Sequence, residues 1–459
     1  MGVDPGKTNR RFLQAVLDDP DWAGQAQDRL LEHNRENGAV YGDEPLPVTL
    51  NPVVVTPEQR ERLEAGVHHL SQALDTFVDV FLSEEPLPTR WELGDEHDLL
   101  ATDPGYDHAT PVTRFDGFLD GDDLAFLEFN TDSPAGPAYG DVIQEGYEAM
   151  LADRPDLAAG LQLPGERRLD ALANTLLDCY HEWRIGHDGD RPTDPRIVVT
   201  DWREVDSRPD MDLTVDRLRA RGHDAAFADP RDLSLDGEDL VHEGERVDLV
   251  YKRVIVDELV EEPEARALAE AYQAGTVCMV NPPRSVIAGD KRAMAALQSP
   301  EITERLTVPQ RRAVDRFVPW TRVLEPGTTT LAGYTVDLRD LVIDNKDKFA
   351  LKAAVSYGGK DVVLGPATDE AAWGRLVDEH IASGEWIVQR LVDVPEALFG
   401  RVDDDGPQIE TLNVNVNPFV FGGRYAGCYT RVSADEVINV AAGGGLAATL
   451  TLEPGGPSP

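Results

Sequence analysis

The chain has 459 residues, with 85 acidic against 43 basic side chains and a formal net charge of -42, a balance too negative for ordinary binding to nucleic acid or an anionic membrane. Its hydrophobic content of 41% is that of a globular protein, so the acid is spread over a folded surface, and a high-salt cytoplasm that screens the self-repulsion is the expected setting. No apolar stretch of about twenty residues occurs, the segment before Asp18-Asp19 does not read as a signal peptide, and Cys179, Cys278 and Cys428 lie too far apart for a disulfide framework or zinc site.

Residues 8–35 and 57–83 carry helical periodicity, the second opened by Thr56-Pro57-Glu58, and both read as a supporting layer. Arg114-Phe115-Asp116-Gly117-Phe118-Leu119 then alternates polar and apolar, Asp120-Gly121-Asp122-Asp123 signals a turn, and 124–130 resumes as a strand. With Gly121-Asp122-Asp123 as a three-residue loop, Asp116 faces Glu128, Arg114 faces Asn130 and Phe118 faces Phe126. Like charges directly opposite each other on a ladder are unfavourable unless a cation lies between them. Carboxylate and amide oxygens suit magnesium, which takes further ligands from water and substrate phosphates. The hairpin therefore suggests a nucleotide–metal site with Arg114 available for an anionic oxygen, the alternative being a surface hairpin with solvated acids.

Ser133-Pro134-Ala135-Gly136 breaks the strand, and 141–151 and 167–183 read as helices. A boundary near 191–195 opens a stretch in which strands (197–199, 224–227, 247–252, 277–280) alternate with helices (212–221, 263–274), the pattern of a small α/β unit with a largely parallel sheet. Beyond Asn281-Pro282-Pro283 come a helix at 290–298, strands at 349–352, 362–364 and 386–391, a helix at 369–382, and a second hairpin of 412–421 and 424–432 around Gly422-Gly423. The polar Gly/Pro end reads as a mobile tail.

Seven of the 43 cationic residues are lysines: Lys7, Lys252, Lys291, Lys346, Lys348, Lys352 and Lys360. Where lysine survives such a bias, a compact ammonium is expected to serve chemistry, as on a phosphate, with Lys7, Lys346 and Lys348 at ordinary surface positions. Lys352 closes a strand before Ser356-Tyr357-Gly358-Gly359-Lys360. A glycine loop between strands can lay backbone amides against phosphate oxygens while the lysine supplies counter-charge, although an ordinary hairpin turn has the same look. Lys291, at a helix start, is a second phosphate candidate, and Gln389 is a candidate for an adenine edge.

The order of a lysine, a Gly-Gly loop and a strand ending Val388-Gln389-Arg390-Leu391 resembles the ATP-grasp fold. Because the Asp116…Glu128-x-Asn130 hairpin precedes these, it is similar to the circularly permuted ATP-grasp proteins, which include glutathionylspermidine synthase and eukaryotic glutathione synthetase. The hairpin, with Arg114-Phe115-Asp116 and Leu127-Glu128-Phe129-Asn130, resembles the synthetase domain of the first; the likeness covers about 100–150 and 280–450. It implies an α+β and α/β fold, a circularly permuted ATP-grasp with an inserted small Rossmann-like domain: 1–190 for helices and metal hairpin, 191–283 for the insert, 284–450 for the nucleotide-binding subdomains, 451–459 for the tail. By position, Asp116, Glu128 and Asn130 become magnesium ligands and Arg114 the contact to the transferred phosphoryl group. Lys291, Lys352, Ser356, Gly358, Gly359, Lys360 and Gln389 surround ATP, with 356–360 as the lid.

The activity implied is ATP-dependent ligation of a small carboxylate to an amine through an acylphosphate, with two magnesium ions and with Arg431 and Arg424 as candidate anion contacts. No side-chain nucleophile is required, which fits a chain without a convincing Ser/His or Cys/His constellation. Two departures stand out: the loop is Ser-Tyr-Gly-Gly-Lys where the synthase has an Arg-Glu-Gly run, and no amidase domain is seen. They bear on glutathione and spermidine as substrates and leave the nucleotide role intact. A non-catalytic ATP-binding protein, and a hydrolase using Asp116 and Glu128 as acid and base, are the competing readings.

Overall fold

Proline and capping residues set the helical layer. In the computed structural model, which describes residues 4–83, 91–94, 96–163, 165, 167–187, 191–356, 361–403, 406–435 and 444–454, the expected helix over 8–35 is two helices, Pro5–Asp18 and Pro20–Glu36. Pro20 cannot donate to the first helix, and the Asp19 carboxylate instead accepts from the Trp22 amide at 3.1 Å and starts the second. Helix Pro57–Leu82 opens with a reciprocal capping box between Thr56 and Gln59. Its buried face, with Leu63, Leu70, Leu74 and Phe77, shares one core with Phe115, Phe126 and Phe129 of the hairpin.

Val112–Asp120 and Asp123–Asn130 pair antiparallel, Arg114 opposite Asn130 and Asp116 opposite Glu128. The loop, however, is two residues long, not three, and a bulge follows: Asp116 pairs with Glu128, but Gly117 pairs with Phe126 and Phe118 with Ala125. One residue lost in the turn and one gained at Leu127 cancel, which is why the acids still face each other. The bulge has a packing cause. Phe126 and Phe129 are three residues apart, and only an extra residue between them lets both reach the buried side while Glu128 and Asn130 point the other way.

Residues 412–421 do not form one strand. Gly406–Asn415 pairs with Glu396–Asp403, whereas Pro418–Phe421 joins the hairpin sheet, between Val112–Asp120 and Arg424–Cys428. The chain changes sheets at Val416, where the Asn415 amide donates to the Gly117 carbonyl at 2.9 Å and the Gly117 amide donates to Asn417 Oδ1 at 3.3 Å. Thr430–Ser433 and Gly445–Ala447 extend the other sheet. Thr449–Leu452 is a strand between Val53–Val55 and Leu161–Gln162, so ordered structure runs two residues into the segment read as a tail.

The unit beginning near 196 holds a four-stranded parallel sheet ordered Cys278–Val280, Leu249–Lys252, Ile197–Thr200, Ala225–Ala228. Apart from the strand-end Thr200 and Lys252 the four strands are apolar, and they are largely buried, as parallel strands covered on both faces must be. Strand order reverses between Ile197–Thr200 and Leu249–Lys252, and the crevice beyond the carboxyl ends at such a point is where open α/β sheets bind ligands. A further antiparallel sheet is ordered Thr321–Val323, Trp386–Arg390, Phe349–Ala353, Val362–Leu364. Among the described residues no helix is long and apolar enough to cross a membrane. All three cysteines are free and buried.

Candidate functional site

The face of the bulged hairpin turned away from the aromatic core carries Arg114, Asp116, Glu128 and Asn130 together. Asp116 is not open. Arg114 Nε donates to its Oδ1 at 2.9 Å, and Arg431, from Thr430–Ser433, donates to its Oδ2. Burial alone would raise the Asp116 pKa, but the two guanidiniums outweigh it and hold the carboxyl well below the usual range. Arg114 also donates to the Ala135 carbonyl at 2.8 Å, and Asn130 Nδ2 donates to the Arg114 carbonyl at 3.2 Å. Glu128, its side chain about one-third exposed (34%), lies 3.7 Å from Lys291 Nζ. Lys291 in turn donates to the Ser356 carbonyl at 2.9 Å and so ties the hairpin to the entrance of the glycine loop. Gly358, Gly359 and Lys360 fall outside the described residues.

Among the six described lysines, Lys252, Lys291 and Lys352 are buried. Lys252 pairs with Asp132 and Lys291 with Glu128. Lys352, 8% exposed, has no carboxylate within ion-pair distance among the described residues. Its ammonium donates to Gln389 Oε1 at 2.7 Å and reaches towards the Leu127 carbonyl at 3.5 Å, the carbonyl of the bulge residue itself. Burial, with Lys291 nearby, outweighs the pull of Glu128 and lowers the Lys352 pKa to about 8. Gln389, 2% exposed, donates to Thr321 Oγ1 at 3.1 Å and to Met294 Sδ at 3.4 Å. Its side-chain polar groups are therefore engaged by Lys352, Thr321 and Met294.

Glu128, Asn130, Lys291 and Ser356 line one end of a cavity of about 430 Å³, whose other end is walled by Asp201, Trp202 and Arg253 at the strand ends of the parallel sheet. The run Tyr251-Lys252-Arg253 reads in sequence either as a substrate contact at a strand end or as an ordinary strand terminus; Lys252 is fully buried and serves as a strut. Arg253 reaches the cavity while donating to Asp210 at 3.0 Å and to Ser133 Oγ at 3.0 Å. Among the described residues Asp201, 7% exposed, accepts only from the next amide, Trp202 N, at 2.8 Å, and burial raises its pKa against the opposing pull of Arg253. Sequence reasoning missed Asp201 and Asp210. Asp201 follows an apolar run, a place shared by many acids in so acidic a chain, and Asp210, within Arg208-Pro209-Asp210-Met211, carried no cue.

Carboxylate and amide oxygens from Asp116, Glu128 and Asn130 suit a hard divalent cation in kind. Among the described residues, no group of three or more His, Cys, Asp and Glu side chains gathers that could hold a metal. A cation here would therefore also draw on phosphate oxygens, and Asp116 would have to share or release its arginines.

The fold is that of a glutathione synthetase-like protein: over 97% of each chain it matches the glutathione synthetase like-effector of Globodera pallida in its apo form, with a TM-score of 0.57 at 12% identity. In sequence, the chain is 25% identical over 447 residues to a Frankia casuarinae protein named "Putative glutamate--cysteine ligase 2-2", covering 91% of this chain and 47% of that one. It thus spans about half the length of that relative. It is also 25% identical over 434 residues to an uncharacterized Mycobacterium tuberculosis protein, covering 90% of this chain and 74% of that one. No protein-family model matches.

Proposed function

We propose that the protein is an ATP-dependent carboxylate–amine ligase of the circularly permuted ATP-grasp type, forming an amide through an acylphosphate. The observation that carries this is Lys352: a buried ammonium without a carboxylate partner, beside Lys291 and facing the acidic hairpin, is a place prepared for an anion. A triphosphate tail is the anion whose charge calls for two lysines and a metal-binding face together. The sequence likeness to a protein named as a putative glutamate--cysteine ligase and the glutathione synthetase-like fold support the same reading. Asp116, Glu128 and Asn130 would hold magnesium, which when bound offsets charge on the phosphoryl oxygens.

Arg114 and Arg431, already converging on Asp116, stand where they can turn to the transferred phosphoryl group. The cavity running from Glu128 to Arg253 would align the carboxylate and amine, and its walls would exclude water from the acylphosphate. A second reading, a nucleotide-binding protein without turnover, is favoured by one observation: both oxygens of Asp116 are held by arginine. ADP release in high salt, across amino acids, small peptides and amines, separates the two. The ligase reading expects release that depends on an acid–amine pair and falls at least about 100-fold in Asp116→Asn and Glu128→Gln. ATP binding with no ADP release from any pair leaves the binder, and unchanged release in both variants removes the metal assignment.

A further inference from the structure

Thr321 and Gln389 are direct cross-strand partners, while Lys352 pairs with Ile387, two residues before Gln389. On a pleated sheet this puts the three side chains on one face as a contiguous row. The Gln389 amide could in principle be turned either way, but the NH₂ group cannot face an ammonium, because both are donors. Its oxygen must therefore point at Lys352, and its NH₂ is left for Thr321 Oγ1 and Met294 Sδ.

The ammonium is thereby aimed by an acceptor that is itself anchored, and the acceptor is neutral. A carboxylate at this position would hold the lysine equally well but would neutralise it, leaving little charge for a ligand. We infer that Gln389 is a positioning residue: it fixes the direction of the Lys352 ammonium without neutralising it, so that the full positive charge meets the nucleotide phosphates. This inference rests on the ATP reading above and replaces a base-reading role for Gln389 with one exerted through the lysine.

Two ligands tell these roles apart, because tripolyphosphate carries the phosphates of ATP and no base. By titration calorimetry in high salt with magnesium, Gln389→Glu is expected to weaken ATP and tripolyphosphate by the same factor, about 10- to 100-fold. In a Lys352→Met background Thr321→Val, which only loosens the Gln389 amide and buries no new charge, is expected to change neither affinity further. General damage to the fold would persist in that background, so persistence overturns the inference. Loss of ATP affinity with tripolyphosphate unaffected also overturns it and returns Gln389 to the base, and wild-type affinity for both in Gln389→Glu overturns it outright. Thr321→Val, which frees the amide from its anchor without adding charge, serves where Gln389→Glu does not fold; a smaller but equal loss on both ligands is expected, and no loss counts against the inference. A wild-type protein that binds neither ligand removes the ATP reading itself, a result distinct from all of these.

Discussion

Lys352 and Asp116 sit on the same site but answer substitution in opposite ways. The Lys352 ammonium is buried with only neutral acceptors, an arrangement that costs the empty fold and, on the proposed ATP reading, serves the ligand. Lys352→Met is expected to raise stability at pH 7 by about 1–3 kcal/mol in urea denaturation while ATP affinity falls about 10- to 100-fold. The sign with pH follows from a folded pKa of about 8 against the ordinary 10.5. Below pH 8 both folded and unfolded lysine are charged and the wild type bears the whole burial cost. Between 8 and 10.5 the unfolded chain binds the extra proton, so wild-type stability climbs towards that of the variant, and above 10.5 the gap has closed. A variant no more stable than wild type at pH 7 would contradict this. At Asp116 the opposite holds: Asp116→Asn leaves Arg114 and Arg431 facing each other around a neutral amide, and a loss of about 3–5 kcal/mol is expected. Glu128→Gln, partly exposed and 3.7 Å from its lysine, should cost under about 1 kcal/mol. Thermal melts of the two variants check the contrast, and they set the folded fraction at which their ADP release is compared.

At the scale of the element, the bulge in the hairpin joins packing to chemistry, since the residue that lets Phe126 and Phe129 share the core also points a carbonyl at Lys352. Gly117 makes the bulge possible. A Cβ there would lie 2.7 Å from the Ala125 carbonyl oxygen and 2.7 Å from the Phe126 ring, and the Gly117 carbonyl accepts from both Val416 N and Asn415 Nδ2 at 2.9 Å. Gly117→Ala is expected to cost about 2–4 kcal/mol in urea denaturation and to raise amide exchange across 112–130; wild-type stability would mean that the strands part there without strain. The hairpin was legible in sequence because alternation is a local signal, and the facing of Asp116 and Glu128 was right although the loop was not. The unbroken apolar run Leu124-Ala125-Phe126-Leu127 was the one mark of the bulge. The sheet change at Val416 left only Asn415 and Asn417 as a trace, and these became informative only once Gly117 was known to lie opposite. Arg431 was named as an anion contact, but its pairing with Asp116, 315 residues away, depends on two sheets meeting and has no local signature.

For the whole molecule, two classes of charge respond differently to salt. In the parallel-sheet unit and where it meets the hairpin, the charges are buried: Arg253 with Asp210 within the unit and Lys252 with Asp132 across to the hairpin, beside Asn281, whose amide donates to the carbonyls of Val112 and Thr131 at 2.6 and 2.8 Å. Buried pairs are little affected by bulk ions. The surface is another matter, because a net charge of -42 is mostly uncompensated acid in water. The screening length is about 10 Å at 0.1 M salt and about 3 Å at 1 M, so added salt removes repulsion between surface acids long before it touches the interior. Melting temperature is therefore expected to rise steeply between 0.1 and 1 M KCl and then to flatten, as screening beyond nearest neighbours is completed. Sucrose, which strengthens burial without screening charge, is expected not to reproduce the steep part. A melt that is flat or falling in KCl would mean that surface ion pairs such as Arg203 with Asp232 and Arg339 with Asp378 already compensate the acid locally. It would also remove the physical reason for placing the chain in a high-salt solvent.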